Sequence, residues 1–152
     1  MTKPQLTLPG TRLNRIAQPE PVALAQGEVL AVFIPGIVLR SLNASFRNAS
    51  MGARMGAAAK VKKQRADVDM VLRSKLGNTP PEPPLTVTVT RVAPGQLDAH
   101  DNLPGSCKAI VDAIAAWLGL DDRDPRLSWQ YDQRRDGRTV GVGIRIERRA
   151  EA

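Results

Sequence analysis

The chain is poor in the residues that build compact metal and redox centres, with one cysteine, Cys107, and one histidine, His100, among its 152 residues. One thiol and one imidazole cannot make a structural zinc site or a disulfide within a single chain, which excludes zinc fingers and two-histidine nuclease motifs. Aromatic residues amount to 3%, and Phe33, Phe46, Trp117, Trp129 and Tyr131 are all of them. So few rings argue against a base-stacking platform for single-stranded nucleic acid. No apolar run reaches the ~18 residues of a spanning helix, and Pro4, Pro9, Arg12 and Arg15 interrupt the N-terminal stretch that a secretory signal would need. The expectation is a protein that stays in the cytoplasm where it is made. Carboxylates are missing altogether from Val29 to Ala66.

That acid-free stretch holds Arg40, Arg47, Arg54, Lys60, Lys62, Lys63 and Arg65. Over the whole chain 22 Lys and Arg face 15 Asp and Glu, a net charge of +7. Such a balance favours a polyanionic partner, nucleic acid before an anionic membrane surface. The long basic side chains from Arg47 to Arg65 can follow a phosphate backbone without reading sequence, which makes duplex or branched DNA the expected partner. The plainer alternative is an ordinary solvated helix face.

The length suits one domain. Residues 1–27 contain four prolines and no sustained periodicity, so they read as an extended or partly ordered arm ahead of a domain over 28–148, with 149–152 as a tail. EVLAVFIP from Glu28 is apolar on both faces, the pattern of a central strand ended by Pro35 and Gly36. A helix is expected from about Ala53 to Leu76, with Ala57, Val61, Val68, Leu72 and Leu76 as its apolar stripe, and the Gly77 and NTPPEPP run stops it. LTVTVTRV then alternates Leu85, Val87 and Val89 with threonines, as a strand with one buried face does. From Pro104 a second helix places Cys107, Ile110, Val111, Ile114 and Leu118 on its core face. Two more alternating runs, RLSWQY and TVGVGIRIE, flank an Asp136-Gly137 turn signal and pair most simply as a hairpin. The fold class is therefore α+β, a single domain with a mixed sheet and two main helices in the order β-α-β-α-β-β.

The carboxylates that the basic half lacks are concentrated further on. Asp98, Asp101, Asp112, Asp121, Asp122 and Asp124 lie in the window around the second helix. Magnesium takes oxygen ligands, usually one or two carboxylates with water and phosphate, so acids converging from the two ends of a helix could form a cation site. Lys108 and Asp112 share one flank of that helix, beside the core face. Against this, Asp98 and Asp101 would suit a helix N-terminus, and Asp112 would pair with Lys108 at an i,i+4 spacing. Asp121 and Asp122 follow the helix C-terminus, where the macrodipole disfavours negative charge, so that second account leaves them unexplained. Both readings stand at this point.

The DNL of Asp101 to Leu103, the Lys108 and Asp112 pair, and LGLDDRDP from Leu118 resemble the RusA family of Holliday junction resolvases. In the front half, FIPG, the SLN of Ser41 to Asn43 and the basic AAAKVKKQR run are similar to the family's first strand, loop and helix, so about Leu30 to Glu147 is covered. The resemblance implies a homodimeric, magnesium-dependent endonuclease, with manganese as a substitute cation, that recognises four-way DNA junctions by shape and makes paired nicks. It implies Asp101 and Asp122 as catalytic, metal-holding aspartates and Lys108 as the catalytic lysine. The family's first aspartate belongs two positions before Asp101, where this chain has Ala99, and Asp98, one residue early, is taken as the variant ligand. His100, Asp112 and Asp121 are candidates for an outer shell. The rival expectation is a non-catalytic DNA-binding or packaging accessory protein that has lost the nuclease site.

Overall fold

The computed structural model describes residues 27–40, 50–97 and 102–150. Asp98, His100, Asp101 and Arg47 lie outside the described residues, as do residues 1–26 of the expected arm. The elements run β1 (Glu28–Pro35), α1 (Met51–Leu76), β2 (Leu85–Ala93), α2 (Asn102–Ser106), α3 (Lys108–Leu118), β3 (Leu127–Arg135) and β4 (Gly141–Arg148). The fold is α+β with a four-stranded mixed sheet, as expected, and the short α2 is one helix more than the sequence pattern shows.

Alternation decides how the sheet packs. In β2, Leu85, Val87 and Val89 are fully buried while Thr86, Thr88 and Thr90 between them stay half-buried. The apolar set shares its face with Leu127, Trp129 and Tyr131 of β3 and with Ile144 and Ile146 of β4. Helices α1 and α3 cover this face. Val68 and Leu72 of α1 and Ile110 and Ile114 of α3 complete a core in which none of the four is measurably exposed. The expected face of α3 is borne out, since Cys107, Ile110, Val111, Ile114 and Leu118 are all buried.

Strand order departs from the sequence reading in two ways. The order is β1-β4-β2-β3, with β2 parallel to β3 and antiparallel to β4. There is thus no β3-β4 hairpin, because β2 lies between them. The Asp136 turn is nevertheless real, its carboxylate accepting the N–H groups of Arg138 at 2.9 Å and Thr139 at 3.2 Å. It carries the chain past the end of β2, where the Asp136 N–H reaches the Ala93 carbonyl at 3.0 Å. The second departure is β1, expected to be central and found at an edge, paired with β4 alone among the described residues. Its second apolar face is served locally, by laying the Phe33 ring over Gly141. A Cβ at Gly141 would lie 2.5 Å from the tip of that ring and 2.5 Å from the Ile34 carbonyl oxygen. Gly141→Ala is therefore expected to cost about 1–3 kcal/mol of stability through forced shifts of β1 against β4, measurable as a lower urea midpoint at unchanged slope.

Helix α1 starts at Ser50, whose hydroxyl caps the Ala53 N–H at 3.2 Å, and stops at Gly77 in the positive-φ region. Only Val68 and Leu72 of its 26 residues are buried. Val61, expected in the apolar stripe, is 37% exposed, and Met51 and Met55 are exposed. The helix is about 39 Å long at 1.5 Å per residue, and the sheet and α3 cover only its second half. Alanine-rich sequence keeps the largely exposed first half helical.

Candidate active site

The turn after α3 brings the acidic loop back along the helix. Gly119 takes the left-handed conformation, with the Gly119 N–H bonded to the Ala116 carbonyl at 3.1 Å and the Leu120 N–H to the Ala115 carbonyl at 3.0 Å. This pair of bonds is a Schellman ending, and glycine accommodates its positive φ without a Cβ penalty. The reversed chain places Asp122 beside the first turn of the helix it has just left. The indole N–H of Trp129 then holds the Asp122 carbonyl at 2.8 Å.

Lys108 is the meeting point. Its Nζ donates to Asp112 Oδ1 at 2.8 Å and to Asp122 Oδ2 at 3.0 Å. Asp112 is also bonded through Oδ2 by Arg65 Nη2 at 2.8 Å, reaching across from α1. The carboxylates of Asp112 and Asp122 raise the Lys108 ammonium above its ordinary value, and Lys108 in turn holds the Asp122 carboxyl below its ordinary value. Both therefore stay charged through neutral pH. Lys108 is thus a positive charge at neutral pH, and Asp122 an anion whose partner is that ammonium.

The remaining acids of the loop are used locally. Asp121 accepts the Arg123 N–H at 2.8 Å, closing a turn. Asp124 accepts the Arg126 N–H at 2.9 Å and two guanidinium bonds, at 3.0 and 2.8 Å, which bring its pKa down to about 2. A lowered folded-state pKa contributes stability above the unfolded value and loses it as pH falls through the folded one. The pinning of β3 at Arg126 should accordingly weaken only between about pH 4 and about pH 2, seen as faster amide exchange of Arg126 and Leu127 over that window and not above it. Asp121 and Asp124 are parts of the loop, and Asp112 and Asp122 are the ones that face Lys108. The i,i+4 pairing of Lys108 with Asp112 is borne out, and Asp122 joins it.

Two neighbours escape the sequence reading. Tyr131 is half-buried on the helix side of β3, where burial, then the Cys107 thiol and the Asp122 carboxylate, raise its phenol above the usual range while Lys108 works the other way. Arg65, expected on DNA, pairs with Asp112 while staying exposed. Cys107 is no nucleophile, since burial pushes its thiol up to about 11.

Among the basic residues expected on DNA, Arg54, Lys60, Lys62, Lys63 and Arg65 all lie on α1 and are exposed. Lys63 pairs with Asp67 at 2.7 Å and Arg65 with Asp112, while Arg54, Lys60 and Lys62 have no ion pair among the described residues. No group of three or more His, Cys, Asp or Glu is gathered for a metal among the described residues, and no helix among them is long and apolar enough to cross a membrane. Asp112 and Asp122 are hard oxygen donors of the kind magnesium takes, and here both are held by the Lys108 ammonium. Comparison of the chain with known protein families and with curated proteins finds no match.

Proposed function

We propose that this chain is a magnesium-dependent endonuclease selective for four-way DNA junctions, as its resemblance to the RusA family implies. The observation that carries the reading is the convergence of Asp122 and Lys108 from opposite ends of α3. A phosphodiester-cleaving site needs an anion to hold a cation and a positive charge to steady the phosphate, and this pair supplies both. Asp122 would hold magnesium together with Asp101 and Asp98, and manganese could substitute. The bound ion would supply activation of water for in-line attack. Lys108, permanently charged, would stabilise the negative charge that grows on the phosphate oxygens. Paired nicking of opposing strands calls for a homodimer with two sites about a twofold axis.

A specific observation favours a second reading, a non-catalytic DNA-binding protein. Lys108 and Arg65 already neutralise Asp112 and Asp122, an arrangement that needs no metal. Incubation with a synthetic four-way junction separates the two. Magnesium-dependent paired nicks, with two chains per junction by light scattering, support the nuclease. Binding without nicks in magnesium or manganese supports the second.

Both readings place α1 on the phosphate backbone. Lys60→Ala with Lys62→Ala should weaken junction binding and flatten its log-log salt dependence by about 0.9 for each phosphate that is no longer neutralised. An unchanged slope would remove the exposed half of α1 from the interface.

A further inference from the structure

Residues 51–63, the first half of α1, stand clear of the domain. Ala57 is partly covered there and every other residue is exposed. At 1.5 Å per residue this half is a rod about 20 Å long. Its leading side, away from the core, is thin. Ala59 lies about 180° around the axis from the buried Val68, and Gly52 and Gly56 lie beside it, where a Cβ would meet nothing within 4 Å. Lys60 and Lys62 flank that side, about 100° round from Ala59 in one direction and about 60° in the other. The two side chains therefore leave the helix about 160° apart. Neither has an ion pair among the described residues, and no carboxylate occurs from Val29 to Ala66 to draw them together.

A single row of phosphates meets one of these lysines, and two rows, one on each side of the helix, meet both. A second copy of the chain is a poor occupant, since it brings the same cations and no acid to this half of the helix. A nucleic-acid groove supplies two rows. The minor groove of B-form DNA, about 6 Å wide, is too narrow for a helix of about 10–12 Å diameter, and the major groove, about 12 Å wide, admits one. The deep, narrow major groove of A-form RNA does not. We infer that the first half of α1 lies in the major groove of B-form duplex DNA, with Lys60 and Lys62 on opposite phosphate walls and the Gly52, Gly56 and Ala59 side against the base edges. Met51 and Met55, 77% and 69% exposed, sit on the Lys62 side of that face and supply apolar contact for thymine methyl groups. This placement rests on the DNA binding that both functional readings share, and needs no cleavage.

The test follows the full chain on a labelled linear DNA duplex by fluorescence anisotropy, with magnesium omitted. Lys60→Ala and Lys62→Ala, measured singly, should each flatten the log-log salt dependence by about 0.9. Both are exposed helix positions, so the helical circular dichroism of each variant should match the parent. Methyl green, which occupies the major groove, should displace the chain, and netropsin, in the minor groove, should not. An RNA duplex of the same sequence should bind at least about tenfold more weakly. A silent variant of the two overturns the two-walled contact, as do displacement by netropsin alone and equal affinity for RNA. If Met51→Ala with Met55→Ala halves the mass of the free protein by light scattering, this half of α1 is an interface between copies and the placement fails. A parent chain that binds no DNA sinks it together with both functional readings, whereas groove binding without nicking of a junction in magnesium leaves it standing and removes only the nuclease.

Discussion

Asp122→Asn is expected to reduce magnesium-dependent junction cleavage by at least about 10³-fold, while junction binding persists or tightens. The substitution keeps shape and most hydrogen-bonding capacity, and the Trp129 bond survives because it goes to the Asp122 backbone carbonyl. What disappears is the negative charge that would hold the cation. Loss of metal-derived stabilisation worth several kcal/mol corresponds to a factor of this size at ~1.4 kcal/mol per decade. Removing a carboxylate beside phosphate also lowers repulsion, which is why affinity should not fall. The same change frees Lys108 from one partner and leaves it bonded to Asp112, so the local fold should hold. Asp101→Asn should behave alike if that residue shares the cation. Cleavage retained within tenfold in Asp122→Asn would remove Asp122 from the chemistry, and lost binding together with a lowered unfolding midpoint would make it a structural residue.

The second large effect is on stability. Ile110→Ala should cost about 2–5 kcal/mol, a large share of the roughly 5–15 kcal/mol that holds a domain of this size. Ile110 is fully buried on α3, in the one layer of side chains that joins the helices to the sheet. Truncation there opens a cavity between elements that share this single core among the described residues. Val61→Ala, on the exposed half of α1, removes comparable chemistry from a site 37% exposed and should change stability by less than about 0.5 kcal/mol. Equal losses for the two would mean that the first half of α1 is packed against something in solution.

Much of this architecture is legible in the sequence where the information is local. The Leu85, Val87 and Val89 alternation against threonine gives the one-sided burial of β2, and the Cys107 to Leu118 spacing gives the core face of α3. Strand order is not local. An Asp-Gly turn between two alternating runs reads as a hairpin, and nothing in β3 or β4 announces that β2 enters between them. Likewise EVLAVFIP has the composition of a central strand, because Phe33 finds its cover on Gly141 of the neighbouring strand instead of on a second layer. For α1 the misreading has a different cause, since alanine-rich periodicity specifies a helix whether or not a partner exists for its stripe.

At the site, the Lys108 and Asp112 pair is visible as an i,i+4 spacing. That Asp122 returns to the same ammonium depends on the left-handed turn at Gly119. Arg65, 47 residues from Asp112, could not be placed there by any pattern in the chain. Trp129 carries no motif, and its bond to the Asp122 carbonyl follows only from the way the loop after α3 folds back along β3. Asp98, His100 and Asp101 fall outside the described residues, so their roles remain those the resemblance implies.

The edge position of β1 bears on how the chain is made. Glu28 lies opposite Glu147, and among the described residues β4 is the only strand that β1 pairs with. A ribosome adds about 5–20 residues per second, so β1 emerges several seconds before any strand exists to receive it. β2 waits likewise for both its neighbours, which are the last two strands to appear. Helix α3 can form early, but the sheet it rests on closes only when Arg148 has cleared the exit tunnel. Closure of this sheet therefore waits on its last strand, and nascent chains arrested before Gly141 should be digested by protease as freely as an unfolded chain.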